Sequence, residues 1–283
     1  MARCFMTDKQ LQRQLDLLSS DTEKALYGYY KSSRESVKKY LADLFEKYSK
    51  NGILSYSDMT KYNRLDSLNL FLADEMKSLG KSAGADIKSL VGDLYNKSYY
   101  GYGDIIDGQA NKSLNWGIVN RDTISSLINE PSVSGLSLLE ILGKSQYNNL
   151  LNMRQTLVNS MIKGESYQDA ARVISDQFDK SFNDALRIAR TEGTRASGEG
   201  QIAAYDRAEE LGIILERIWV ATDDARTRES HIAMDGQVAD EDGLFTIPDG
   251  FDDAGAQTEY PGGFGIAAED INCRCRTIAE IKV

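Results

Sequence analysis

The chain has 283 residues, 41% hydrophobic and 27% charged. That balance predicts one large or two ordinary domains with packed cores, and it excludes wholesale disorder. The net charge of −10 is uneven: residues 201–283 hold 7 Lys+Arg against 18 Asp+Glu, whereas residues 1–200 hold 26 against 25. An acidic end repels nucleic acid, so any DNA contact is expected in the first two thirds.

Up to Pro131 there is no proline, and long helices are permitted. Leu11, Leu15 and Leu18 repeat at helical spacing, as do Val37, Leu41, Leu44 and Tyr48, before Asn51-Gly52 breaks the pattern. From Ser57 a second pattern places Leu65, Leu68, Leu72, Met76 and Leu79 on one face. Gly80 and Gly84 mark a break, and Ile87, Leu90, Val91 and Leu94 resume the period. A helix over 104–129 is predicted next, interrupted at Gly108 and Gly117, then a turn at residues 129–132. Residues 138–162 and 167–178 read as two helices separated at Gly164.

Near residue 182 the character changes. Phe182, Ala185, Leu186 and Ala189 continue a helical face, and Ala189, Gly193, Ala196, Gly200 and Ala203 form a row of small residues. Internal glycines cost a helix about 1 kcal/mol each, so this row predicts a continuous helix supported by close packing. Residues 213–222, 244–247 and 272–281 have strand character, with a short helix around 226–234 and Gly/Asp-rich loops between. The fold class is therefore α+β, predominantly α: a long helical region over 1–164, then a small α+β module over 165–283.

Three cysteines make no disulfide framework and fit a reducing place of synthesis. No run of 18 apolar residues predicts a transmembrane helix, and the N-terminal MARCFMTDKQ lacks the apolar stretch of a secretory signal. The single histidine, His231, and the Cys273-x-Cys275 pair are the candidate metal ligands. On a strand, the two thiols share one face, and an imidazole with two thiolates suits a structural zinc. Asp223, Asp224 or Asp235 would complete four-coordination. Plain packing of small buried thiols explains the same residues and is the reading the sequence favours over zinc, which stays open. Thiol catalysis by Cys273 with His231 is formally available. The acidic clusters at 240–242 and 252–253, and the glycine-rich stretch at 260–265, read as loops.

Residues 1–102 hold 11 of the 15 tyrosines, interleaved with lysines, a pattern open to base stacking and phosphate contact. With 16 basic against 13 acidic residues, the same pattern also fits a helical bundle with tyrosines at its core rim.

One ordered series is more specific. Arg190-Thr191-Glu192, Trp219 ahead of Asp223 and Asp224, Arg226 and Arg228, His231 before Asp235-Gly236, and finally Asn272-Cys273-Arg274-Cys275 resemble the phage head morphogenesis family, that of phage Mu protein F-like minor capsid proteins. The resemblance covers roughly residues 165–283. It implies a minor head protein of a tailed double-stranded DNA phage or prophage. Such a protein would be made in the bacterial host cytoplasm, associate with the portal protein, with scaffold or major capsid protein as further partners, and be carried in the virion interior. Some family members bind DNA and affect its delivery; on the charge split and the Tyr/Lys pattern such contact is expected through residues 1–102, and none with membrane is expected for want of an apolar run. It implies importance for Arg190, Glu192, Trp219, Arg226, Asp235, Gly236 and Asn272 without assigning their roles. Some family members append enzymes after this module. The chain ends eight residues past Cys275, so none is expected and the protein reads as a non-enzyme. The alternative is a metal- or thiol-dependent hydrolase or nuclease delivered with phage DNA.

Overall fold

The computed structural model describes residues 5–132 and 135–282. It is α+β and 67% helical. The helices are α1 (Asp8–Tyr48), α2 (Tyr56–Thr60), α3 (Arg64–Ala110), α4 (Arg121–Asn129), α5 (Leu138–Lys163), α6 (Tyr167–Glu210), α7 (Glu229–Ala233) and α8 (Ala267–Asp270). The strands are β1 (Leu215–Val220), β2 (Phe245–Thr246), β3 (Gln257–Thr258) and β4 (Arg276–Ile281). β1 pairs antiparallel with β4, Ile218 opposite Ile278, and β2 pairs antiparallel with β3.

The chain divides into two compact units. One comprises residues 1–21, 88–138 and 189–283, the other residues 22–87 and 139–188. Three of the boundaries fall inside α1, α3 and α6, and the fourth at the start of α5.

In the second unit, Leu68, Leu72, Met76, Leu79 and Ile87 of α3 are buried, as the period requires. Gly80 and Gly84 do not break α3. A Cβ on Gly80 would meet the Gln146 side chain of α5 at 2.6 Å, and one on Gly84 would meet Leu142 at 3.6 Å. Glycine here permits close helix approach. Tyr40 stacks on Phe71 at 4.1 Å between ring centroids, and Phe182 packs against Tyr27 and Tyr30.

In the first unit, α3 buries Leu90, Val91, Leu94, Tyr95, Tyr99, Tyr102 and Ile106. Each such large apolar side chain contributes roughly 1.5–3 kcal/mol by leaving water. The expected helix over 104–129 is two elements with an irregular link. α3 stops at Ala110, Asn111 takes φ +50°, and the Asp107 carboxylate holds the link by accepting the Leu114 N–H and the Trp116 indole N–H. The row of small residues on α6 is real, and the helix is unbroken from residue 167 to 210. A Cβ on Gly200 would sit 2.3 Å from the Tyr95 carbonyl oxygen of α3, and one on Gly193 would sit 3.0 Å from Leu94. The row continues as Ala196, Gly200, Ala204 and Ala208 rather than through Ala203, because the buried alanines recur every four residues.

β4 starts at Arg276, four residues later than predicted, so Cys273 and Cys275 lie on the loop before it. Asn272, at φ +57°, turns the chain into that loop. β3 and α8 were not predicted. Each is too short, at 2 and 4 residues, to carry a period.

Candidate functional site

The site belongs to the first unit and is built by α6, β1, α7, α8 and the Cys273 loop. β1 alternates, placing Trp219 wholly inside. Trp219 contacts Phe245, Phe264 and His231 at 5.4, 6.1 and 5.4 Å between centroids, and Met234, Ile247, Cys273 and Cys275 complete the core around it. The Trp219 N–H donates to the Gln237 carbonyl, and the Gly236 N–H donates to that of Trp219. Gly236 does so at φ +77°, where glycine is unstrained. Asp235 secures the end of β1 by accepting the Ala221 N–H at 2.8 Å.

His231, on α7, is 1% exposed. Its Nδ1 lies 3.6 Å from the Cys273 sulfur and 3.5 Å from the Cys275 sulfur. Its Nε2 lies 2.8 Å from Glu269 Oε2, off the line of an aligned hydrogen bond. Ser230 donates to the same carboxylate oxygen at 3.0 Å. The two thiols act as a pair. Their mutual hydrogen bond, and then burial, raise Cys273 above the usual thiol range, while the same bond and His231 draw Cys275 below it.

The Arg190-Thr191-Glu192 stretch of α6 positions this loop. Thr191 accepts the Asn272 N–H, Thr194 donates to the Cys273 carbonyl, and Gln201 is bonded twice to Thr277. Glu192 is buried, accepting from Ser132 at 2.8 Å and from Arg195 at 2.9 Å, while Arg195 also donates to the Leu127 carbonyl. Thr191 lies in the Arg190-Thr191-Glu192 stretch singled out in the sequence, whereas Thr194 and Glu269 escaped it; nothing in their spacing marks them.

None of the three aspartates offered as a fourth metal ligand joins His231, Cys273 and Cys275, which alone cluster among the described residues. Asp223 is exposed, Asp235 is taken by Ala221, and Asp224 grips the Arg274 guanidinium with both oxygens. That guanidinium holds the Asp224 carboxyl well below the usual carboxylate range. The acidic stretch at 240–242 is a turn in which Asp240 accepts the N–H groups of Asp242 and Leu244. Arg190, Arg226, Arg228, Arg274 and Arg276 line a cleft of about 750 Å³ reached by both cysteines.

Residues 152–278 match the family described as phage Mu protein F like protein. Over that stretch the chain is similar to the phage Mu protein F-like family. It is 28% identical to minor head protein GP7 of Bacillus phage SPP1, over 95% of this chain and 85% of that protein. It is 32% identical to an NAD(+)–arginine ADP-ribosyltransferase, EFV, of Enterococcus faecalis, over 98% of this chain. The chain spans about half of that relative, 55% of its length. An uncharacterised protein of Haemophilus influenzae is 28% identical over 55% of this chain and 30% of its own. No solved structure gives a significant match. The Mu F-like match takes in α6, the Trp219 core and all three clustered ligands, the parts that build the site.

The tyrosines of the first third of the chain are divided. Tyr30, Tyr95, Tyr99 and Tyr102 fill cores, while Tyr27, Tyr56, Tyr62 and Tyr100 are exposed. A ring inside a core offers no face to a base, so the core-rim reading accounts for four of the eleven outright.

Proposed function

We propose that this chain is a minor head protein of a tailed double-stranded DNA phage or prophage, carried in the virion and working by assembly. The observation that carries this reading is the near full-length match to SPP1 minor head protein GP7, 85% of which is covered. The portal protein is the assigned partner, with scaffold or major capsid protein as further ones. Burial supports assembly over thiol hydrolysis. Cys273, Cys275 and His231 are only 2%, 7% and 1% exposed, whereas a catalytic thiol is commonly partly exposed to its substrate. Among the described residues no helix is long and apolar enough to cross a membrane.

DNA contact, where it occurs, is assigned to the second unit. That unit carries 17 Lys+Arg against 15 Asp+Glu, the first unit 16 against 28. Lys31, Lys39, Lys77 and Lys81 are exposed there. Replacing all four by Glu in the full chain should weaken retention in a salt-titrated gel shift and flatten its salt slope. Unchanged retention and slope contradict this assignment. Deleting residues 1–102 is no test, because Leu11, Leu15, Leu90 and Leu94 belong to the core of the first unit.

A second reading is favoured by the EFV relative: the same module acts as the assembly or delivery part of a protein that carries an activity. Deleting the gene from a phage that encodes it separates the two. The assembly reading predicts fewer infectious particles, restored by the wild-type chain. Unchanged particle yield and infectivity, with a change only in the recipient cell, favours the second.

A further inference from the structure

From the three converging side chains we infer a structural zinc site: His231 Nδ1, Cys273 Sγ and Cys275 Sγ bind one Zn²⁺, with a water from the cleft as fourth ligand. The proposal stands apart from the head-protein reading.

The geometry carries it. Zinc holds thiolate sulfur at about 2.3 Å and imidazole nitrogen at about 2.0–2.1 Å in tetrahedral sites, which fixes the S···N edge at about 3.6 Å. The two observed edges are 3.6 and 3.5 Å, and all three ligand atoms lie within 4.8 Å of one another. Thiol–imidazole hydrogen bonds reach the same separations; what points to a metal is that both sulfurs converge on one ring nitrogen while a carboxylate lies 2.8 Å from the other.

That carboxylate is the second observation. Glu269 sits at Nε2, the nitrogen turned away from the sulfurs, and Ser230 holds Glu269 in place. Metal-bound histidines commonly give their other N–H to a carboxylate, which orients the ring and makes it a better donor.

The donor set selects a borderline-soft cation over magnesium or calcium. Coordination displaces the thiol protons to solvent as the two Zn–S bonds form. The site ties α7 to the loop ahead of β4.

The test uses the full chain purified under reducing conditions from zinc-supplemented cells. Elemental analysis should find one zinc per chain. Exchange for Co²⁺ should give a thiolate-to-cobalt charge-transfer band with the intense visible bands of four-coordination. Cys273→Ser and Cys275→Ser should each lose the metal, and chelation should lower the Tm of the wild type. Glu269→Gln should keep the stoichiometry and weaken affinity about 10–100-fold. If the Ser variants fail to fold, the cobalt spectrum of the wild type decides. A folded wild type with no zinc and no charge-transfer band overturns the proposal, as does zinc retained in the folded Ser variants.

Discussion

Glu192 is 1% exposed, and both its oxygens are occupied: Ser132 donates to one and the Arg195 guanidinium to the other. Removing the carboxylate leaves a largely buried guanidinium with only Glu199 and the Leu127 carbonyl. Breaking a buried pair from one side costs about 3–5 kcal/mol. Glu192→Ala should therefore lose about 3 kcal/mol or more in urea unfolding, whereas a loss within about 0.5 kcal/mol would place Glu192 in the class of exposed surface residues. At this scale much of the site was legible. His231, Cys273 and Cys275 announce themselves by chemical type, and they do meet. Thr194 and Glu269 were not legible, nor was the role of Thr191. Their bonds reach Cys273, Ser230 and Asn272 across 79, 39 and 81 residues, and no local spacing encodes such a partner.

Helix α6 tests whether its glycines serve packing. In an exposed helix, Gly→Ala gains up to about 1 kcal/mol. That is the outcome predicted for the control Gly143→Ala on α5, since a Cβ there meets nothing within 4 Å. Gly200→Ala should have the opposite sign. Its Cβ would collide with the Tyr95 carbonyl, and overpacking costs about 1–3 kcal/mol. Stabilisation by both substitutions would contradict the close α3–α6 contact. The cores that these helices bury also contain tyrosines with a pH signature. Burial first of all pushes Tyr30 up to about 12, and it raises Tyr102, Tyr205 and Tyr260 as well. A raised folded pKa means that this stability is fully present below the unfolded value near 10 and is lost as pH rises through the folded values. The urea midpoint should therefore fall above about pH 10, with these tyrosines ionising only as the chain unfolds. Titration of all 15 tyrosines near pH 10 in the folded chain would contradict the burial. The long helices were legible because apolar spacing is a local signal. Gly80 and Gly84 misled because a glycine that ends a helix and one that admits a neighbour look alike in sequence. The Cys273 loop was read as strand because residues i and i+2 can converge in a turn as well as on a pleat.

The whole molecule separates charge between its two compact units, the first strongly acidic and the second near neutral. The excess acid read in residues 201–283 was correctly located, but the segments that fold with it, 1–21 and 88–138, were invisible to a linear reading. Their pairing depends on packing between helices far apart in the chain. The function proposed above has this chain built into phage heads, as its similarity to minor head protein GP7 supports. Quantitative mass spectrometry of purified particles, before and after triggered genome release, tests it most directly. The account predicts a few copies per particle in heads and procapsids, and loss on release would add a role outside the head. Absence from both procapsids and finished particles, in cells that make the protein, would contradict it.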